Sequence, residues 1–489
     1  MALRARLTPP RETKTDWPWH EVKSSSLKAS LLFVGGRRME AENFLARGYG
    51  TRVALESKPE CWAKLEQFSR IWQPTRLKGT LVSPDDGRPY LSATQVFDVR
   101  PASRRFLSVD KISDPAALEV KGGQILMTRS GTVGRATIAT NAHSGHIISD
   151  DLLRVNAKEA SWWGWIYAYL RAPTARAMMK AAQYGHIIKH LETHHLEALP
   201  IIKLQQALRE PFNDRVAAIL SARDRAHRLV LEAEGNLLRV VGEPANSGCT
   251  DSGFTTRASA MFGKGRRLEG NFHNPHARAA ESAIQSRAAR TECVDDLVER
   301  VFVPGRFKHV YGDEGTPYLD SAQILEVAPD ISKRVLSLKG EKKAGYVVDA
   351  GTLLIPCSGQ LHGIVGSVVL ATEWHESKVL TNHILRVVPK KKPSIRIGYL
   401  LAVLGHPTLG RPRILKGAFG SSVPEIGPED IKNLTVPRFD AKIEDAIADA
   451  MEEAANLRAQ ANEMEEQVAS EAEDFLNRFL SGDRSHLEA

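Results

Sequence analysis

The chain spells one pattern twice. Residues 28–44 (KASLLFVGGRRMEAENF) return, one residue shorter, as 257–272 (RASAMFGKGRRLEGNF). Pro74, Arg76 and Lys78 return as Pro304, Arg306 and Lys308, and GRPYLSATQVFDVRP (87–101) as GTPYLDSAQILEVAP (315–329). GGQILMTRSG (122–131) matches AGTLLIPCSG (350–359), VGRATIAT (133–140) matches VGSVVLAT (365–372), and SDDLLRV (149–155) matches TNHILRV (381–387). The offset stays near 229 residues, drifting only where loops change length. A unit of about 180 residues is far longer than a solenoid repeat. It implies two similar modules doing one job at two places.

Each copy is followed by a long helical segment. In residues 204–241 Leu208, Phe212, Ile219, Ala222, Ala226, Leu229, Ala233 and Val240 form a stripe with 3–4 spacing, broken at Arg215 and Asn236. In 441–480 Ile443, Ile447, Ala450, Ala454, Leu457, Ala461, Met464 and Val468 keep the spacing until Glu471. Sustained 3–4 spacing is a coiled-coil seam. At about 1.5 Å per residue, each helix is roughly 55–60 Å long. The first balances six arginines against five acids, whereas the second is strongly acidic, so their edges are complementary. The simplest arrangement is an antiparallel rod between the modules; the plainer alternative packs each helix on its own module.

Short β-branched runs such as RATIAT, SVVLAT, LLRV and ILRV read as strands. The segments around WWGWIYAYLRAPTARAMMKAA and IRIGYLLAVLG read as helices, and Pro407 and Pro412 keep 405–413 from being a regular helix. The fold class is therefore α+β. The expected plan is an N-terminal extension (1–26), module one (27–203), helix one (204–241), a linker (242–256), module two (257–438), helix two (439–480) and a tail (481–489).

Composition narrows the partners. Residues 440–480 hold twelve acids against Lys442, Arg458 and Arg478, so this segment carries −9 and the rest of the +8 chain carries +17. A basic body of that size is a footprint for a polyanion. Cys61, Cys249, Cys293 and Cys357 are scattered singly, which argues against a disulfide scaffold or zinc ribbon and suits a reducing cytoplasm. No apolar run is long enough for a membrane span, and the first residues lack the pattern of an export signal.

Sharper chemical readings mostly fail. FGKG (262–265) lacks the Ser or Thr and the spaced Gly of a phosphate loop. Asp85, Glu119 and Lys121 spell a nuclease-like string, but the positions matching Glu119 and Lys121 in the second copy are Val347 and Asp349. The sole Pro-Pro, Pro9-Pro10, does not sit in the loop that an amino-methyltransferase needs. His186, His190 and His194 could share a helical face, but no further ligand completes a metal set, so no metal is expected.

Binding readings fare better. Each copy carries a glycine-rich turn, TRSGTVGRA (128–136) and PCSGQLHGIVGSV (356–368). The frame is shared, while the polar residues differ: Arg129, Ser130, Thr132 and Arg135 in one, Ser358, Gln360 and His362 in the other. Such side chains can bond base edges or phosphates. Arg104 and Arg105 recur as Lys333 and Arg334, suited to phosphate positioning. Closing turns around Tyr184, His186 and Lys189, and around Ser421 and Ser422, complete the candidate DNA-binding set.

In order, twice over, these motifs resemble the DNA-specificity subunits of type I restriction–modification systems. The resemblance runs from about residue 27 to 480, on GRRMEAENF and GRRLEGNF, the Ser130-Gly131 and Ser358-Gly359 loops, LLRV and ILRV, Tyr184-Gly185 and Phe419-Gly420, and LEALPI and IKNLTVP before the helices. It implies two target-recognition domains reading an asymmetric, bipartite double-stranded DNA target, with an antiparallel coiled coil as ruler. It further implies docking of two methylation subunits, which bind S-adenosylmethionine and methylate adenine, with room for restriction or translocase subunits. This chain would hold no cofactor or catalytic residue. The alternative is a stand-alone two-headed DNA-binding regulator without a methylation partner.

Overall fold

A computed structural model describes Ala29, Phe44 and residues 47–488, apart from 59, 77–78, 109, 111, 113, 183–188, 246–252, 263–266, 339 and 421. The first copy opens with helix α1 (Arg47–Glu56). Its strands are β1 (Trp62–Lys64), β2 (Ser69–Trp72), β3 (Leu81–Val82), β4 (Arg88–Leu91), β5 (Arg105–Leu107), β6 (Ile125–Thr128), β7 (Ala136–Ile138), β8 (Ile147–Ile148), β9 (Leu152–Ala157) and β10 (Pro200–Ile202). Helices α2 (Trp163–Arg171) and α3 (Pro173–Ala182) precede β10, and the long α4 (Gln206–Val241) follows it. One antiparallel sheet has the order β2-β9-β6-β7, a second has β3-β5-β4-β8 with β4 and β8 parallel, and β1 pairs with β10.

The second copy has α5 (Pro275–Arg287) and strands β11 (Arg290–Cys293), β12 (Val298–Phe302), β13 (Tyr311–Leu319), β14 (Arg334–Val335), β15 (Leu353–Pro356), β16 (Val369–Leu370), β17 (Val379–Leu380), β18 (Ile384–Pro389) and β19 (Thr435–Arg438). Helices α6 (Ile397–Gly405) and α7 (Arg411–Lys416) follow β18, and α8 (Ala441–Ser481) follows β19. The sheet orders are β12-β18-β15-β16 and β14-β13-β17, with β13 and β17 parallel, and β11 pairs with β19. Register repeats with order: Ile125 faces Val155 as Leu353 faces Val387. As expected, 405–413 is not one regular helix: the chain turns over 406–410 between α6 and α7, and Pro412 is accommodated in the first turn of α7, where a missing N–H costs nothing.

Arg154 and Arg386, the arginines of LLRV and ILRV, are buried without a carboxylate. They donate instead to backbone carbonyls, Arg154 to Leu152 at 2.8 Å and Arg386 to Val347 at 2.8 Å. Desolvation lowers both guanidinium pKa values to about 10.

The long helices pack along each other in opposite directions, as the pairs Arg215–Glu471, Arg223–Glu465 and Arg225–Glu453 show. Their buried stripes differ from the expected ones. On α4 the stripe is Arg209, Phe212, Val216, Ile219, Arg223, Ala226, Val230, Ala233, Leu237 and Val241. Leu208 and Leu229 flank it, only half-buried. On α8 it runs through Glu444, Ile447, Met451, Ala454, Ala461, Glu465, Val468, Ala472, Leu476 and Phe479. Ile443, Leu457 and Met464 lie half-buried beside it. The seam lies one residue from the expected stripe at Arg209, Arg223, Glu444 and Glu465, where a charge occupies it, and at Val230 and Val241, where none does.

Nor is the pair a bare rod. Phe212, Val216 and Ile219 join Ala461, Val468, Ala472, Leu476 and Phe479 in the first copy's core, and Leu487 of the tail joins them. Val230, Ala233 and Leu237 join Ile447, Met451 and Ala454 in the second copy's core. Two glycines permit this: a Cβ on Gly164 would lie 2.5 Å from the Phe212 carbonyl oxygen, and one on Gly398 would lie 2.4 Å from that of Ala448.

Glu465 is fully buried where helices and module meet. It accepts from Arg223 at 2.5 Å and from the Tyr167 hydroxyl, with Arg171 at 3.8 Å. Removing one partner of a buried pair strands the other. Glu465→Ala is therefore expected to cost about 3–5 kcal/mol in urea unfolding, while Arg223→Met/Glu465→Leu recovers part of that loss. A cost below about 1 kcal/mol for Glu465→Ala would contradict this reading.

Candidate nucleic-acid interface

Both Ser-Gly loops leave a central buried strand, β6 or β15, and are pinned at equivalent points. Ser130 donates to Asp151, and Ser358 bonds the His383 ring at 2.9 Å; Asp151 and His383 occupy the same place in SDDLLRV and TNHILRV. Ser130 also bridges to His190, and Ser358 to Glu425, in the segment closing each module. Gly131 and Gly134 take φ of 68° and 78°, and Gly359 and Gly366 take 140° and 78°, conformations that glycine reaches without a Cβ penalty.

The pinning sorts the expected contact residues. Arg129 turns inward, bonding Asp151 at 3.3 Å, Glu192 at 2.5 Å and His190 at 3.3 Å. Ser130 and Ser358 serve the frame. Thr132, Gln360 and His362 stand exposed at the tips, the positions that differ between copies. Arg135 points elsewhere: it pairs with Glu326 of the second copy at 2.8 Å and lies 4.1 Å from the Phe97 ring centroid. A guanidinium so engaged is not offered to a base, which corrects the expectation for Arg135.

Arg104, Arg105, Lys333 and Ser422 are exposed, Arg334 donates to the Gly315 carbonyl at 3.2 Å, and Lys189 is half-buried beside His190. Tyr184, His186 and Ser421 lie outside the described residues. Arg104 and His362, from different copies, line one cleft with Arg411. Arg411, not anticipated from the sequence, donates to the Gly363 carbonyl of the second loop at 2.6 Å.

His190 and His194 do not share a helical face, because His190 precedes the helix Thr193–Glu197. Among the described residues no group of His, Cys, Asp or Glu is arranged for a metal. Glu119 of the nuclease-like string is paired with Arg88 at 2.6 Å, and Asp85 sits in the Pro84–Asp86 turn.

Buried histidines hold the frame behind the loops. His143 and His375 accept at Nδ1 from the backbone N–H of Thr140 and Thr372, at 2.9 and 3.1 Å. Burial lowers both pKa values to about 4. A histidine kept neutral in the fold contributes stability that is complete above its unfolded pKa of about 6.5 and is lost as pH falls from there through about 4. His143→Gln/His375→Gln should therefore lower stability at pH 7.5, with the gap to wild type shrinking toward pH 4.5 in urea unfolding. A gap that stays constant would refute this assignment.

No family model and no curated protein matches the chain. Among solved structures it is similar to a type-I restriction-modification system S subunit from M. genitalium, at 12% identity and TM-score 0.27, covering 88% of this chain and 98% of that one. It is also similar to the HsdS subunit from Thermoanaerobacter tengcongensis, at 13% identity and TM-score 0.25, covering 86% and 96%. A third structure, of type I R-M complex assembly, matches at 14% identity and TM-score 0.26, covering 86% and 100%. Among the described residues no helix is long and apolar enough to cross a membrane.

Proposed function

We propose that the chain is a non-catalytic, two-headed reader of double-stranded DNA, acting as a specificity subunit. Residues 27–203 and 257–438 are the two readers, and 204–241 and 439–480 form the antiparallel coiled coil that separates them. The observation that carries this reading is the pair of loops pinned by equivalent contacts at Ser130 and Ser358 but differing at Thr132, Gln360 and His362. A shared frame with different tips serves recognition of two different half-sites. Arg104, Arg105, Lys333 and Arg334 supply phosphate contacts, which orient the protein without reading sequence.

The readers belong to a methylation-linked defence complex in the cytoplasm. Two adenine methyltransferase subunits, which carry the S-adenosylmethionine, dock on the helical spine. The acidic outer face of α8 supports a docking role, since it holds exposed Asp445, Asp449, Glu463 and Asp474.

Selection from a random duplex library tests the reading. Wild type should enrich two separated motifs. Gln360→Ala/His362→Ala should relax one motif by about 1–3 kcal/mol per contacted base pair and leave the other intact, and Thr132→Ala should affect only the other. Equal loss at both motifs would refute modular reading. Co-expression with a type I methyltransferase should give a stable complex, and a chain that remains a free monomer would refute the docking role.

A further inference from the structure

The two copies touch through the same segment of each. Phe97 and Leu325 occupy matching places in the repeat, as do Val99 and Val327. The Val99 N–H donates to the Leu325 carbonyl at 2.7 Å, and the Val327 N–H donates to that of Phe97 at 2.6 Å. This exchange is reciprocal, as across a two-fold axis, with Asp98 facing Glu326 at the centre. Each segment is preformed by an equivalent lock: Gln95 donates to the Ala102 carbonyl at 2.7 Å, and Gln323 to that of Asp330 at 2.6 Å.

Further contacts bind this junction to everything near it. Across the copies, Arg135 pairs with Glu326 at 2.8 Å and Arg176 with Asp330 at 2.7 Å. From α8, Arg458 donates to the Val99 carbonyl at 3.2 Å, and the Asn462 side chain accepts from the Ala328 N–H at 3.1 Å. Arg100 pairs with Glu234 of α4 and donates to the Gly405 carbonyl at 3.0 Å. Among the described residues, Ala328 is the one non-glycine with positive φ, at 48°. A strained residue persists only where its surroundings over-determine it.

The first reading loop ends in the junction itself, since Arg135 is its last polar residue. A single base pair of DNA corresponds to a rise of about 3.4 Å and a rotation of about 35°. Modules joined only by helices could absorb such a step by bending. Modules bonded directly through a reciprocal bridge cannot do so without breaking it.

We infer that this junction, and not the length of the helix pair alone, sets the number of base pairs allowed between the two half-sites. The inference rests on the two-headed reading above. Its residues are Phe97, Val99, Leu325 and Val327 through their backbone, with Glu326 and Asp330 as the acids that hold Arg135 and Arg176.

Duplexes carrying both half-sites with the gap varied by one base pair test it on the full chain. Glu326→Gln/Asp330→Asn weakens the junction while leaving every basic residue in place, and Val327→Pro removes one bridging N–H. Amide exchange at residues 99 and 327, measured without DNA, reports whether the bridge is closed. Wild type should protect both amides and prefer one gap at least tenfold over its neighbours. In the double variant both amides should open, and the preference should fall below about threefold with the half-site motifs unchanged. If either variant opens the bridge yet keeps full gap preference, the inference is overturned. Unprotected amides in wild type overturn it as well. A wild type that enriches no pair of motifs overturns the two-headed reading, and this inference with it.

Discussion

The buried pairing of Arg223 on α4 with Glu465 on α8 is the constraint on which the rest of the molecule depends. Both charges are withdrawn from water, so they are tolerable only when aligned with each other and with Tyr167 and Arg171. A slip of either helix by one turn would strand a charge in the seam. The pair thereby selects one register, as buried polar groups do in other helix pairs. Because the helices run in opposite directions, that register also decides which half of each helix completes which core. Neither module is finished without both helices.

From this spine the reading surfaces follow. Helices α2 and α6 rest on the spine through Gly164 and Gly398, and the central strands β6 and β15 deliver the two loops. Fixed contacts at Ser130 and Ser358 separate the rigid part of each loop from its tip. A rigid base with a variable tip lets sequence preference change without disturbing the fold, because Thr132, Gln360 and His362 pack against nothing that the core needs. The junction at Asp98 and Glu326 then relates one loop to the other.

The architecture was legible in the sequence to a useful depth. Matching strings in matching order anticipated α+β content and long helices; the order β2-β9-β6-β7 recurs as β12-β18-β15-β16, whereas β14-β13-β17 lacks a strand corresponding to β3. The seam was misread at alternate positions. Leu208, Ile443 and Met464 stand one residue from Arg209, Glu444 and Glu465, which take the buried seam instead, and Leu229 stands one residue from Val230. Periodicity rules treat a charge as solvent-facing, whereas a seam can hold charges that find partners across it. The loops were identified, but not which of their residues face outward. Arg129 and Arg135 read as contact residues because nothing local shows that Asp151, Glu192 and Glu326 claim them.

What the order of residues settled alone was local or repetitive: helix and strand content, the turns that need glycine, the duplication, and the uneven charge along the chain. These depend on neighbours in sequence or on comparing the chain with itself. Only the folded chain decided the partners of Arg135, Arg176, Arg223 and Arg458, and the meeting of residues 97–99 with 325–327. Those contacts join residues more than 150 positions apart in sequence. They form because antiparallel packing brings the same surface of each copy to one axis. No local preference encodes that meeting; the geometry of two similar halves turned toward each other does.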